Sequence, residues 1–485
     1  MRAAIAYPPI KSRKGVPLLS QNRQFQWFHR PTYIYPVVPA LAATMADRAG
    51  HEVIWLDGIA EQWSEEEFLS RLCNFKPDVV LLETKTPVVK AAWQWADRIK
   101  KESGAKVALA GDHVTALPDE SLEKSTADFV LTGGDYDFLF VNLLDHLAGR
   151  ASLERGIRIR DGTSIRSTGS FACDRELSSL PWIDRDLTKW RLYSVHNGNY
   201  RRVPGTYTMA GRDCWHGRCT FCSWTTLYPR FRARPPEDLL DEIGCLIEKY
   251  GVREVMDDTG TFPVGEWLRS FCAGMIKRGY NDKIYMDCNM RFGVLKRDDY
   301  LLMKEAGFRF VLFGLESANQ RTLDRLNKNL KVEDILSGAR DAARAGLDVH
   351  VTVMFGYPWE TAEDVARTVE LARRLLIEGL AYTLQVTLVI PYPGTPLFRE
   401  AREQGWLVTE DWDDFDMRMA VMKTPIAEDE IKSAIRTVYR AFLHPRALWN
   451  RALSTKHPIE DLHFYWRGIR SLFGHLRDFG RTRQG

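Results

Sequence analysis

The sequence predicts an α/β protein made of two successive blocks, a doubly wound parallel sheet and then an open (β/α)6 barrel, followed by a helical tail. Three observations carry this expectation. Short β-rich runs alternate with helical periodicity over residues 1–150, and the alternation resumes over 201–395. Between the blocks, residues 151–200 change character, and from 396 onward the β-rich runs stop.

In the first block the strand-length apolar runs are RAAIAY (2–7), HEVIWL (51–56), DVVLLE (78–83), KVALAG (106–111) and DFVLTG (128–133). PVVPALAATMADRAG, SEEEFLSRLCNF, PVVKAAWQWADRIKKE and DFLFVNLLDHLAG fill the gaps with helical patterns. Ligands in such sheets bind beyond the carboxyl ends of the strands. GIRIRDGTSIRSTG (156–169) then alternates by twos around an Asp-Gly turn, a hairpin signal, and with SSLPWIDRDLTKW it reads as a connector. The second block offers TYTMAG, REVMDD, KIYMDC, RFVLFG, DVHVTVMFG and LQVTLVI as strands, with helices between them. Six such units form three-quarters of an eight-stranded barrel, so active residues are expected at the C-terminal strand ends. Residues 396–485 read as helical and Trp-rich.

The formal net charge of +3 lies close to balance, and charged residues make up 27% of the chain. This does not suggest a nucleic-acid binder, and no dense Lys/Arg block stands outside the basic tail GHLRDFGRTRQG. No apolar run reaches the length of a membrane span, and MRAAIAYPPIKSRKG lacks the pattern of a signal peptide. The expectation is a cytoplasmic protein with reduced thiols, where a tight Cys group points to metal or redox chemistry.

That group is GRDCWHGRCTFCSW (211–224), which places Cys214, Cys219 and Cys222 within nine positions of a chain with eight cysteines. Three chemistries use such spacing. A three-thiolate [4Fe–4S] cluster leaves one iron open. A plant-type [2Fe–2S] ferredoxin site needs a fourth thiol, for which Cys245 is nearest. Its helix puts Leu239, Leu240, Ile243, Leu246, Ile247 and Tyr250 on one face and Cys245 on the other. Structural zinc wants four ligands, and His216 is the only extra one nearby. Cys73, Cys173, Cys245 and Cys272 are isolated, and Cys288 ends a predicted strand; buried free cysteines behave as small hydrophobes.

The chain resembles the radical S-adenosylmethionine (SAM) superfamily over most of 205–398. The family spacing is C-x3-C-x2-C, so this chain has one extra residue in the loop. Phe221 stands where the family places an aromatic residue against adenine. DDTGTF (257–262), CNMRFG (288–293), GLESAN (314–319), GYPWET (356–361, with Trp359 in place of Gly) and PYPGTPLF (391–398) follow in order at predicted strand ends. The resemblance implies a [4Fe–4S] cluster on Cys214, Cys219 and Cys222. It also implies SAM contacts from Phe221, Thr259, Gly260, Arg291, Glu316, Gly356 and Pro358, and one-electron cleavage of SAM to a 5′-deoxyadenosyl radical. A flavodoxin or ferredoxin is the implied electron donor.

The first block resembles the cobalamin-binding (B12-binding) Rossmann-like domain found in some of these enzymes. AGDHVTALPDE (110–120) stands for the family's Gly-Gly-x-His segment, with Asp112 in place of the second Gly. TGGDYDF (132–138) stands for Gly-Glu-Gly-Glu, and the loop 12–36 brings five aromatics that could fill a corrin pocket. Two enzyme readings follow. In the favoured one the domain is a scaffold with a closed pocket, as in the B12-domain-like radical SAM dehydratases of aminoglycoside antibiotic biosynthesis. The substrate would then be an aminosugar pseudodisaccharide losing its C3′ hydroxyl. In the other, cobalamin binds and the enzyme methylates an unreactive carbon. Acid–base work falls to Asp257, Asp258, His350 or Glu360. Glu83 and Asp112, with Asp135, are candidates to meet a substrate ammonium group. A non-catalytic iron–sulfur electron carrier is the reading from another class.

Overall fold

The computed structural model describes residues 1–19, 25–28 and 31–454. The first sheet has seven strands: β1 (Arg2–Tyr7), β2 (Glu52–Asp57), β3 (Val79–Glu83), β4 (Lys106–Ala110), β5 (Phe129–Leu131), β6 (Ile157–Asp161) and β7 (Ser164–Ser167), in spatial order β2-β1-β3-β4-β5-β6-β7. The first five run parallel, and β6 and β7 are antiparallel. The hairpin expected in a connector is therefore the edge of this sheet. Its alternation explains the difference, since Ile157 and Ile159 lie opposite Leu131 and Phe129 and extend the same apolar face.

Side-chain alternation sorts the sheet into two buried layers. Ala3, Ile5, Tyr7, Val79 and Leu81 face the helices Val37–Arg48 and Tyr136–Leu147. Ala4, Ala6, Val80 and Leu82 face Glu65–Phe75 and Val89–Ser103. Strands buried on both sides read as continuous apolar runs, which is how they stand in the sequence. The strand order reverses direction at β1/β3, the place where such sheets open a ligand crevice.

The barrel strands are β8 (Gly205–Thr208), β9 (Glu254–Asp257), β10 (Tyr285–Met290), β11 (Phe308–Glu316), β12 (Asp348–Phe355) and β13 (Thr383–Leu388), all parallel and paired in chain order. β8 and β13 are the two edges of the sheet, so the barrel is open. Its amino end is plugged by Arg309, which reaches Glu254 at 2.7 Å, Asp287 at 2.8 Å and Asp348 at 3.2 Å. That charge cluster leaves the carboxyl ends as the place for a site.

The tail is less helical than expected. Helices Pro396–Glu403, Glu428–Arg440 and Pro445–Ser454 are separated by an irregular segment carrying one short turn, Trp412–Asp414. This segment lies against the first domain, where the Trp412 indole donates to Glu120 at 3.0 Å. Residues 455–485, including the basic terminus, lie outside the described residues. None of the described helices is long and apolar enough to cross a membrane.

Candidate active site

The thiol loop leaves a two-residue strand, Gly211–Arg212, that pairs antiparallel with Arg232–Ala233. It ends at the short helix Trp224–Leu227. Main-chain hydrogen bonds pin it across the barrel mouth: Thr220 N–H donates to the Leu326 carbonyl and Leu397 N–H to the Thr220 carbonyl, both at 3.0 Å. The Asn327 amide donates to the Arg218 carbonyl at 3.1 Å. His216 Nε2 is 2.8 Å from the Asn327 carbonyl, so this nitrogen is used in holding the loop. Gly260 N–H donates to Asp213 Oδ1 at 2.8 Å, and the Cys214 sulfur lies 3.0 Å from the Thr261 hydroxyl.

Arg291 approaches the Cys219 sulfur at 3.9 Å. Desolvation pushes the Cys219 thiol up, while Lys328 and Arg291 pull it down. Two cations beside three thiols suit a polynuclear thiolate cluster, whose net charge is part of what its surroundings tune. Among the described residues no three His, Cys, Asp or Glu side chains converge as a single-ion site, the arrangement a tetrahedral zinc needs.

Beside this loop, the β11 end carries Glu316 in the left-handed region at φ 65°. Its carboxylate pairs with Lys328, buried beneath the loop. A Cβ on Gly314, where the strand shifts register, would sit 2.2 Å from the Glu316 carboxylate and so would displace the Glu316–Lys328 pair. Phe221 packs with Leu326, Tyr357, Val389 and Leu397, and the Lys328 ammonium lies 5.9 Å from its ring. Tyr357 OH, Arg291 Nε and Glu360 Oε2 are buried polar atoms with no hydrogen-bond partner among the described residues. Buried polar groups are normally satisfied, so three at one strand-end cluster fit a polar ligand such as SAM.

The remaining SAM candidates divide. Gly356 turns at φ 93° and leads into Tyr357 and the half-buried Pro358. Thr259 and Gly260 instead brace the thiol loop. The Thr259 hydroxyl accepts from Gly211 N–H at 2.9 Å, and a Cβ on Gly260 would meet Asp213 at 2.4 Å.

The acid–base candidates are placed as follows. Asp257 is fully buried and accepts from the Thr208 hydroxyl, Ala210 N–H and Thr259 N–H, so it ties strand ends together; burial raises its pKa. Asp258 is buried at the same end. Glu360 accepts through Oε1 from Ser317, Asn319 and Thr322, bridging the loops after β11 and β12; burial raises it. His350 corrects its expectation. It is the third residue of an eight-residue strand, opposite Leu312 and Thr383, and it bonds the Thr383 hydroxyl at 2.8 Å. It therefore lies in the amino half of the barrel, and desolvation pushes it down to about 4.

Glu83 stands at the β1/β3 switch point but not at an open mouth, since the Tyr7 and Tyr136 hydroxyls both donate to it. Burial raises its pKa, with Lys85 opposing. Next to it Tyr193 OH donates to Asp57 at 2.6 Å and accepts from the Trp55 indole at 3.0 Å. Asp112 opens a short helix and accepts from the neighbouring His113 N–H. Asp135 is committed to Arg212 and Arg232. Glu83, Lys85, Asp112, Tyr136 and Trp224 line a cleft of about 250 Å³ between the domains.

Lys328, Tyr357 and Arg212 were not singled out in the sequence. Tyr357 sits inside GYPWET, where burial of the position was the missing signal. Lys328 lies between Asn327 and Asn329, both at positive φ, and Asn is enriched there.

Comparison with known proteins agrees with this layout. The radical SAM superfamily model matches residues 210–372, and the B12-binding domain model matches 30–137. The chain carries a radical SAM domain behind a B12-binding domain. It is 26% identical over 419 residues to an uncharacterized methyltransferase of Pyrococcus horikoshii, covering 85% of this chain and 89% of that one. It is 27% identical over 449 residues to the anaerobic magnesium-protoporphyrin IX monomethyl ester cyclase of Cereibacter sphaeroides, covering 88% and 69%. Among solved structures, the radical SAM methyltransferase TsrM of Kitasatospora setae, with cobalamin and a [4Fe–4S] cluster bound, superposes with a TM-score of 0.67. The identity is 15%, over 91% of this chain and 88% of that one.

Among the described residues, the chain's own side chains occupy the switch point of the B12-binding domain. Tyr7, Tyr136 and Glu83 fill the switch point, and Phe25, Trp27, Tyr33 and Tyr35 of the long first loop are buried against the same face of the sheet. Residues 20–24 and 29–30 of that loop lie outside the described residues.

Proposed function

We propose that this radical SAM enzyme binds a [4Fe–4S] cluster through Cys214, Cys219 and Cys222 and acts on a C–H bond of a small polar substrate at the barrel mouth. The observation that carries this reading is the thiol loop, clamped by Thr220 between Leu326 and Leu397, beside a Tyr357 hydroxyl and an Arg291 Nε that lack partners among the described residues. Held by those thiolates, the cluster would supply the electron for reductive cleavage of SAM, and with it the means of abstracting hydrogen from the substrate. The chain supplies binding, orientation and exclusion of side reactions. Glu316 with Lys328, Arg291 and Tyr357 are the groups offered to the polar half of SAM, and Phe221 is the aromatic offered to its adenine.

The fate of the substrate separates two finer readings. Cobalamin-dependent C-methylation has the support of the comparisons, since a curated relative and a solved neighbour are described as methyltransferases. Corrinoid-free radical dehydration of an aminosugar pseudodisaccharide has the support of the filled switch point. In that reading the Asp112 carboxylate stands at the interdomain cleft to meet an ammonium group, and Asp258 or Glu360 handles the proton that leaves with water.

The test is corrinoid binding by the anaerobically purified, cluster-reconstituted protein. Stoichiometric hydroxocobalamin after removal of excess selects methylation. No corrinoid, with 5′-deoxyadenosine still formed, selects dehydration. Absence of 5′-deoxyadenosine from reduced, cluster-loaded protein would sink both and leave an electron carrier.

A further inference from the structure

Two arginines face each other across the hairpin that starts the thiol loop, Arg212 opposite Arg232. Like charges directly opposite on paired strands repel. The first domain supplies the compensation. Arg212 reaches Asp135 at 2.9 Å and both carboxylate oxygens of Asp137, while Arg232 reaches Asp135 at 2.7 Å. Arg212 is 1% exposed and Asp137 fully buried. Alongside, the Tyr228 hydroxyl donates to the Gly134 carbonyl at 2.9 Å, and a Cβ on Gly134 would collide with the Tyr228 ring. The carboxylates and this glycine all belong to TGGDYDF (132–138), the segment that follows β5.

We propose that Asp135 and Asp137 of the B12-binding domain are positioning residues for the thiol loop, acting through Arg212. They close the two-arginine hairpin. They thereby set the register in which Asp213 accepts from Gly260 N–H and the Cys214 sulfur meets the Thr261 hydroxyl. A buried ion cluster adds little net stability over an apolar replacement, but a planar guanidinium shared by two carboxylates fixes direction. The first domain is thus part of the cluster's mounting, whatever else it binds. This inference rests on the cluster reading of the loop.

The experiment compares the full-length parent with Asp137→Asn and Arg212→Lys, and with Asp287→Asn as a control. Asp287 shares Arg309 with other carboxylates in a similarly buried group at the far end of the barrel. After anaerobic reconstitution, iron per chain, the thermal midpoint of the iron-free protein, and the electron paramagnetic resonance spectrum of the reduced cluster with and without SAM are measured. All three variants are expected to lose thermal stability. Asp137→Asn and Arg212→Lys alone are expected to lose iron or to lose the spectral change on adding SAM. Arg212→Lys keeps the charge and loses the fork, so its failure would point to geometry. If Asp137→Asn and Arg212→Lys match Asp287→Asn in iron content and spectra, the inference is overturned. A parent that forms no [4Fe–4S] cluster overturns the cluster reading instead.

Discussion

The two sets of strand ends in this molecule face the same problem and solve it in opposite ways. Beside the switch point of the first domain two hydrogen-bonded groups close on themselves: Tyr7 and Tyr136 donate to Glu83, and Trp55 donates to Tyr193, which donates to Asp57. At the barrel mouth, Tyr357 OH, Arg291 Nε and Glu360 Oε2 are buried without partners among the described residues. An unmade buried hydrogen bond costs about 1–3 kcal/mol, so a fold keeps several in one place when a ligand completes them. The carboxylates of the first region are satisfied within the fold, although the Thr84 hydroxyl and Trp27 indole there also lack partners among the described residues; the second region leaves a phenol, a guanidinium nitrogen and a carboxylate oxygen to be completed. The same polar residue types therefore mean stability in one place and binding in the other.

The most severe way to test the barrel half of this comparison is Cys219→Ala. Removing one of three thiolates should reduce cluster content after reconstitution and abolish 5′-deoxyadenosine formation, read by iron analysis and by chromatography of the SAM products. Retained turnover would remove the loop from the chemistry.

The next effect belongs to the closed region. Asp57 is pushed up to about 6, mainly by desolvation, against the hydrogen bonds from Tyr193, Ala60 and Ile59. A carboxyl raised in the folded state stabilises below its unfolded pKa, and that contribution is lost as pH rises through the folded value. Between about pH 4 and pH 7 the full change is about 3 kcal/mol. Urea unfolding of the parent and Asp57→Asn should therefore give a stability difference that moves in the parent's favour as the pH is lowered. A pH-independent difference would show that Asp57 ionises normally and that the network is wetter than drawn.

How far these regions could be read beforehand depends on the range of the interaction. Strands such as 78–83 were legible because burial on both faces writes one unbroken apolar run. The glycine-rich strand ends were legible because close approach and positive φ restrict residue type locally, as at Gly356. His350 was assigned to the site because a strand's residues give its existence but not which third of it reaches the mouth. Tyr7 with Glu83 and Arg212 with Asp137 join residues 76 and 75 positions apart. Pairing at that distance leaves no mark in a single sequence, so Glu83 looked like an open carboxylate when it is a closed one.

A matched pair of hydroxyl deletions sharpens the contrast at smaller amplitude. Tyr7→Phe strips a donor from buried Glu83 and should cost about 1–3 kcal/mol of stability with SAM affinity unchanged. Tyr357→Phe removes a hydroxyl that has no partner among the described residues. It should leave stability level or slightly higher and weaken SAM binding by about tenfold, the worth of one hydrogen bond of about 1.4 kcal/mol. Urea melts and equilibrium SAM binding on the same two variants read both axes. The reverse pattern would exchange the roles assigned to the two regions.

The smallest effect tests what holds the tail segment between the two regions. Lys90 pairs with Asp411 at 2.5 Å, but the two side chains are 37% and 50% exposed. Exposed pairs of this kind contribute about 0–1 kcal/mol, less as salt screens them. Trp412 is the stronger contact: its ring packs against His113, Phe398 and Phe415 while its indole donates to Glu120. Lys90→Ala should thus shift the urea midpoint barely, and by less in high salt. A large, salt-sensitive loss would mean that charge, and not the Trp412 contact, keeps this segment across the first domain.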